Sequence, residues 1–197
     1  PEDFEVERTE QQVRVSTVLM LDLSLSMPMR DNFLPAKKVA MALHALISMQ
    51  YPRDYIGLVG FSESAKVLRH QDLPEVSWDF VYGTNMQHGF QLARGLLERQ
   101  RGTKQIIMIT DGEPTAHLER DGQWTFGWPP SPQTLAVTLA EVDRMTRRGA
   151  TMSIFRLGDD PRLEHFVDGV ARRNGGRVFA ASSARLGDYV VTDYLSR

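Results

Sequence analysis

Val13-Arg14-Val15-Ser16-Thr17-Val18-Leu19-Met20-Leu21 runs directly into Asp22-Leu23-Ser24-Leu25-Ser26-Met27. The first stretch is apolar and rich in β-branched residues, which suits a strand buried on both faces of a parallel sheet. It stops abruptly at a carboxylate and two hydroxyls on alternate residues. Open α/β sheets place their ligands at the C-terminal ends of their strands. Three oxygen-bearing side chains converge there if the chain bends as it leaves the sheet. Converging neutral and anionic oxygens suit a hard cation such as Mg²⁺. An Asp after a buried strand also serves simply to cap the next helix, so this stretch alone leaves both readings open.

Two further stretches bear on the choice. Gly83-Thr84-Asn85 stands at the start of a helical pattern, where Gly83 permits a tight approach and Thr84 can cap the helix. Thr110-Asp111-Gly112-Glu113-Pro114 follows a second apolar run, Ile106-Ile107-Met108-Ile109. Asp-x-Ser-x-Ser, then Gly-Thr, then a strand ending in Thr-Asp-Gly, in that order, resembles the von Willebrand factor A (VWA) family over nearly the whole chain. The resemblance implies a metal-ion-dependent adhesion site. In it Ser24, Ser26 and Thr84 give hydroxyl oxygens to Mg²⁺ or Mn²⁺, and Asp22 and Asp111 stand in or just behind that shell, often through water. It also implies a central sheet of six strands in the order 3-2-1-4-5-6 with one antiparallel edge strand. Asp22 and Asp111 would then face each other across the crevice between strands one and four. The chain departs from many family members in carrying Leu25 where they have Gly.

Periodicity predicts the other elements. Residues 1–12 are a charged lead-in with an edge strand near Phe4 to Val6, and 13–197 form the domain. Ala36, Val39, Ala40, Leu43, Leu46 and Ile47 recur at helical spacing in a helix over Asp31 to Gln50. Tyr55 to Phe61 and Ala65 to Arg69 are strands joined too tightly for a crossover, hence an antiparallel hairpin. Residues 70–82 read as irregular. A helix follows from Asn85 to Gln100, with His88 read as a surface residue of its first turn. A strand over Gln105 to Thr110 comes next. Ser131-Pro132 opens a helix to Arg148 with Leu135, Leu139, Val142 and Met145 inward. Ala150 to Leu157 is a strand. Asp160-Pro161 opens a helix stopped by Asn174-Gly175-Gly176, and Arg177 to Ala180 is the last strand. Ser182 or Ser183 caps a final helix. This alternation predicts an α/β fold, a doubly wound and mostly parallel sheet with helices on both faces.

The stretch from Gly112 to Ser131 shows no helix signal, and a loop of that length is functional or disordered more often than not. Leu118, Trp124, Phe126 and Trp128 argue against disorder. Asp121-Gly122 is a hairpin-turn dipeptide, so Leu118–Arg120 and Gln123–Phe126 are expected to pair as a small ribbon. The aromatics Trp124, Phe126 and Trp128 either form a satellite core or make a docking rim beside the cation, and both readings stay open.

The chain has 197 residues, 42% hydrophobic and 24% charged, which suits one soluble domain. A net charge of −2 gives no electrostatic reason to expect nucleic acid or an anionic membrane. No apolar stretch approaches the ~20 residues of a membrane span, and no signal-peptide pattern opens the chain. The absence of cysteine excludes a disulfide framework and is compatible with the cytoplasm. The chain opens on Pro1 rather than Met and is read as a fragment of a longer protein, of which the family resemblance implies the C-terminal part.

Among enzyme classes, neither a Gly-x-Ser-x-Gly elbow nor a P-loop pattern occurs. A metal-dependent hydrolase would need a base near the cation, for which Glu113 or His117 are the candidates. The expectation is therefore a binding module, not an enzyme. Gly83-Thr84-Asn85-Met86-Gln87-His88 and Thr110 to Leu118 resemble the prokaryotic CoxE-like and magnesium-chelatase D-like branch of the VWA family. That resemblance implies a partner of the MoxR type of AAA+ ATPase, and a protein ligand that offers an Asp or Glu carboxylate to the cation. Glu113, His117, Trp124, Phe126 and Trp128 are the candidate partner-binding residues. The alternatives are the hydrolase and an extracellular adhesin-type A domain.

Overall fold

A computed structural model describes residues 14–196; the lead-in and the edge strand expected within it lie outside the described residues. β1 (Val15–Asp22) is buried along nearly its whole length, as its apolar run requires. Its side chains alternate between the two faces of the sheet. Leu19 and Leu21 join one core cluster, and Val18 and Met20 join the other.

After β1 come α1 (Ser26–Met29) and α2 (Phe33–Gln50). The helix expected over Asp31 to Gln50 forms but starts at Phe33, because Asp31 takes a left-handed backbone with φ of 56°. Asp is among the few residues that adopt this conformation readily, and it cannot continue a helix. β2 (Tyr55–Phe61) and β3 (Ala65–Leu68) pair antiparallel, Phe61 opposite Ala65. The segment read as irregular contains a 3-10 helix over His70–Glu75 with Pro74 inside it.

α3 (Met86–Glu98) buries Met86, Phe90, Ala93 and Leu97, the predicted stripe. Its N-cap is Asn85, whose side chain accepts from the His88 amide, so Thr84 does not cap the helix. β4 (Thr103–Thr110) runs parallel to β1, with Leu21 opposite Ile109. β5 (Ala116–Leu118) and β6 (Trp124–Phe126) form the expected ribbon, shifted toward Ala116 because Glu119 and Gln123 close a wider turn.

α4 (Pro132–Arg147) is capped by Ser131 as predicted. Its buried face is largely polar: Thr134, Thr138 and Glu141 lie inside with Val142 and Met145, while Leu135 and Leu139 are only partly covered. These groups are buried because each has a partner. Thr138 Oγ1 donates to the Thr134 carbonyl, and Glu141 receives Arg94, Arg144 and Gln91.

β7 (Ala150–Leu157), α5 (Pro161–Asn174), β8 (Arg177–Ala181) and α6 (Leu186–Leu195) complete the chain. Gly175 stops α5 with a φ of 68°, the left-handed cap that glycine takes without strain. The last helix starts after Arg185 without a side-chain cap, so the expected Ser182 or Ser183 cap does not form.

The six-stranded sheet has the order β3-β2-β1-β4-β7-β8, parallel except for β3. This is the predicted architecture and order. One core cluster packs α2 and α6 on one face, and the other packs α3, α4 and α5 on the opposite face. Among the described residues no helix is long and apolar enough to cross a membrane.

Candidate functional site

β1 and β4 are neighbours and end level with each other, so Asp22 and Asp111 emerge side by side at their C-terminal ends. Both are fully buried. Asp22 Oδ1 accepts from the Ser24 amide at 2.9 Å, and Asp22 Oδ2 accepts from Thr110 Oγ1 at 2.6 Å. The first bond bends the chain just after the strand, which turns Ser24 and Ser26 back over the sheet end. Ser24 Oγ and Ser26 Oγ lie 3.0 Å apart, and Ser26 Oγ donates to Asp111 Oδ1 at 2.6 Å. Leu25 has φ of −63° and ψ of −20°, a helical conformation open to any L-residue, so the loop does not need the glycine of other members.

Thr84 reaches the same place from the other side. Gly83 meets the Glu63 backbone so closely that a Cβ would stand 3.0 Å from Glu63 Cα, which is the tight approach expected of it. The Thr84 amide donates to Thr115 Oγ1 at 2.9 Å. A Cβ on Gly112 would lie 3.6 Å from Thr84 Oγ1 and 4.0 Å from Ser26 Oγ, so the glycine keeps clear the gap between those two hydroxyls. The five residues predicted for the cation therefore come together from three separate segments.

Burial, and then the nearby charge of Asp111, push the Asp22 carboxyl up to about 7 against the hydrogen bonds that hold it down. Two buried carboxylates this close disfavour each other's ionisation. Asp111 is partly relieved by groups that the sequence did not single out. Asn32 Nδ2 donates to its Oδ2 at 3.1 Å, and Arg30 Nη1 donates to its main-chain carbonyl at 2.7 Å. Both residues lie within ten positions of the Asp22–Ser26 loop, but no pattern distinguishes them from ordinary helix-start residues. Among the described residues no three His, Cys, Asp or Glu side chains are grouped to hold a metal. The donor set here is of another kind, three hydroxyls and two carboxylates. It is all hard oxygen and suits Mg²⁺ or Mn²⁺ rather than a softer ion.

A cavity of ≈ 520 Å³ opens directly over this cluster, with Ser26, Thr84 and Gly112 in its lining. Phe126 and Trp128 line it as well. They are 49% and 59% exposed and Trp124 is 46% exposed, so the three aromatics do not form a satellite core. Trp124 is not in the lining; it stands beside His88 instead, ring centroids 6.2 Å apart. His88 is half-buried rather than on the surface, because its Nδ1 accepts from the Ala65 amide. Met29 and Tyr82, which the sequence reading passed over, are exposed apolar members of the lining.

The two acid–base candidates differ in placement. Glu113 lines the cavity, and burial raises its carboxyl, with Arg162 opposing. His117 does not face the cavity. It is buried, its Nδ1 against Thr134 Oγ1 at 3.0 Å and its Nε2 against Glu119 Oε1 at 3.1 Å, so it pins the ribbon to α4.

This fold defines a VWA domain. Residues 15–195 match the family model described as "Rv0959-like protein, vWA domain", and the chain belongs to that family. It is 41% identical to the protein Rv0959 of Mycobacterium tuberculosis over 98% of its own length; it spans only 30% of that relative. Among solved structures it resembles the pilus adhesin SpaC from Lactobacillus rhamnosus GG. The TM-score is 0.76 at 18% identity, covering 95% of this chain and 31% of that one. It also resembles the SpRpn10 VWA domain, with a TM-score of 0.65 at 16% identity, covering 91% of this chain and 95% of that one. At such identities the likeness is one of fold.

Proposed function

We propose that this domain is a protein–protein interaction module whose contact runs through a divalent cation, Mg²⁺ or Mn²⁺, and not an enzyme. Ser24, Ser26 and Thr84 would supply hydroxyl oxygens, with Asp22 and Asp111 in or behind that shell. The observation that carries this reading is the convergence of these five side chains, two of them buried like charges, under an open cavity. Three neutral donors would leave such an ion electrophilic. Bound there, the cation would supply a site for an anionic oxygen, which a partner's Asp or Glu offers. The chain's own residues do the rest: Asn32 and Arg30 hold Asp111, Thr110 holds Asp22, and Gly112 keeps the approach open.

The hydrolase alternative is weakened by His117, whose two nitrogens are engaged away from the cavity. The adhesin alternative draws on the likeness to SpaC, which extends to fold alone. Within the interaction reading, we favour a MoxR-type AAA+ ATPase as the partner, on the chelatase-like sequence of Gly83 to His88 and Thr110 to Leu118. We favour a cytoplasmic location because a cysteine-free chain loses nothing in a reducing compartment. The test is co-purification from cells with tagged full-length protein, in Mg²⁺ and in EDTA, for wild type and for Ser26→Ala combined with Thr84→Ala. An ATPase recovered only with Mg²⁺ and only by wild type is the expected result. Equal recovery in EDTA would show that the contact does not run through a cation.

A further inference from the structure

At the other end of α3 from Thr84, a cavity of ≈ 390 Å³ is lined by Arg94, Arg144, Arg147 and Arg148 and by no other described residue. Arginines in the last turn of a helix often do no more than offset its dipole, and exposed ion pairs contribute little. The acids here are too few for that reading. Those of α3 and α4 are Glu98, Glu141 and Asp143. Glu141 is buried and accepts from Arg94 Nε at 3.3 Å and from Arg144 Nη1. Glu98 Oε1 pairs with Arg94 Nη1 at 3.0 Å and with Arg148 Nη1 at 2.7 Å. Asp143 is engaged by Arg173 of α5 at 3.0 Å. Two carboxylates therefore serve four guanidinium groups, and neither is in the cavity lining. The C-terminal ends of α3 and α4 add about half a negative charge each, which reduces the surplus without cancelling it.

The pairs also fix direction. Glu141 and Glu98 engage Arg144 and Arg148 through Nη1 in each case. A guanidinium has five N–H donors, so Nε and Nη2 of both arginines have no partner among the described residues. Arg94 keeps Nη2 in the same way. Arg147 is exposed and has neither an ion pair nor a side-chain hydrogen bond among the described residues. Arg144 also borders a neighbouring groove, but Glu119 there is engaged by Gln133 and Thr125, and Asp121 by the Gln123 amide.

The ligand chemistry follows from this donor set. A carboxylate has one planar pair of oxygens and satisfies one arginine fork. A phosphate monoester has three acceptor oxygens and close to two negative charges, so it takes donors from α3 and α4 together. The volume is that of a small-ligand pocket. With no aromatic in the lining there is no platform for a stacked base, and one compact cluster lacks the row of contacts that a nucleic-acid backbone uses. We propose that Arg94, Arg144, Arg147 and Arg148 bind a small phosphorylated molecule through its phosphate group, with Glu98 and Glu141 as positioning residues that hold the guanidinium groups toward the cavity. This site is independent of the cation cluster.

The test is calorimetric titration of the protein with pyrophosphate and with glycerol phosphate at constant ionic strength. Divalent cations are first removed on a chelating resin, so that the cation cluster plays no part. Wild type should bind both compounds saturably. Arg147→Gln breaks no pair within the fold and should weaken binding about tenfold, as the loss of a charged hydrogen bond does. Arg147→Lys should recover part of that loss, and Arg147→Gln combined with Arg148→Gln should abolish binding. Arg53→Gln, at an exposed arginine outside the lining, should bind as wild type. No saturable binding by wild type, or binding unchanged in the double variant, would overturn the site. So would an equal loss in Arg53→Gln, which would reduce the effect to overall charge. A phosphoserine peptide that binds where neither small compound does would overturn it too, by placing the phosphate on a protein partner.

Discussion

Ser26 Oγ donates to Asp111 Oδ1 at 2.6 Å, joining the loop after β1 to the end of β4 across 85 positions of sequence. That bond ties a hydroxyl predicted to bind a cation to one of two buried carboxylates. The other, Asp22, is held by its own loop amide and by Thr110. The site thus holds an unfavourable pair of like charges side by side.

Divalent cation should therefore raise the melting temperature. At a concentration of one hundred times Kd the gain is about 2.7 kcal/mol. Asp22→Asn removes one of the two charges and keeps an acceptor for the Ser24 amide, while its Nδ2 donates to Thr110 Oγ1, whose hydroxyl can turn to accept. It should melt no lower than wild type in EDTA and show no response to Mg²⁺. An unchanged Mg²⁺-dependent shift in this variant would remove Asp22 from the site.

Thr84 and Asn85 divide the work at the start of α3. Asn85 accepts from the His88 amide and donates to the Glu63 carbonyl, so Asn85→Ala should cost about 1–2 kcal/mol, as the loss of an N-cap does. Thr84→Ala should cost less than Asn85→Ala, since its side chain does not cap, yet it should blunt the Mg²⁺ response. Denaturant melts with and without Mg²⁺ measure both, and a larger stability loss for Thr84→Ala would reverse the assignment.

The exposed aromatics make a clear stability forecast. Phe126→Ala and Trp128→Ala should each cost less than about 1 kcal/mol, the scale of a surface cation–π contact, rather than the roughly 3–5 kcal/mol of a buried ring. Urea titrations decide; a loss in the higher range would return these residues to a core role.

Away from the site, Glu141 sits buried in α4 between Arg94 and Arg144. Glu141→Gln removes the charge that both guanidinium groups face. Because those groups are partly exposed, the cost should be about 2 kcal/mol, below the 3–5 kcal/mol of a fully buried broken pair. No change in thermal or chemical stability would mean that solvent already screens the pair.

Much of the fold was legible because its strongest signals are local. The runs before Asp22 and Asp111 are buried on both faces, and the alternation of strands and helices dictates a parallel sheet. The five cation-site candidates were legible as a three-part pattern, and the structure brings them together. What escaped the sequence depended on tertiary partners. Thr134, Thr138 and Glu141 look like a solvated face until Ser131, His117, Arg94 and Arg144 are packed around them. His117 looks available beside Glu113, but the ribbon turns it toward α4 instead. Arg30 and Asn32 acquire their role only because the left-handed Asp31 separates α1 from α2 and leaves both beside Asp111.

The placement of the site at the junction of β1, β4 and the start of α3 has a bearing on when the molecule becomes visible to others. Its donors come from positions 22–26, 84 and 110–111, and parallel pairing over such separations is slow to form because loop closure precedes any reward. A nascent or partly opened chain presents none of the geometry. A partner gripping through this junction would meet these groups together only in a finished copy, so such an interaction would double as a check on maturity.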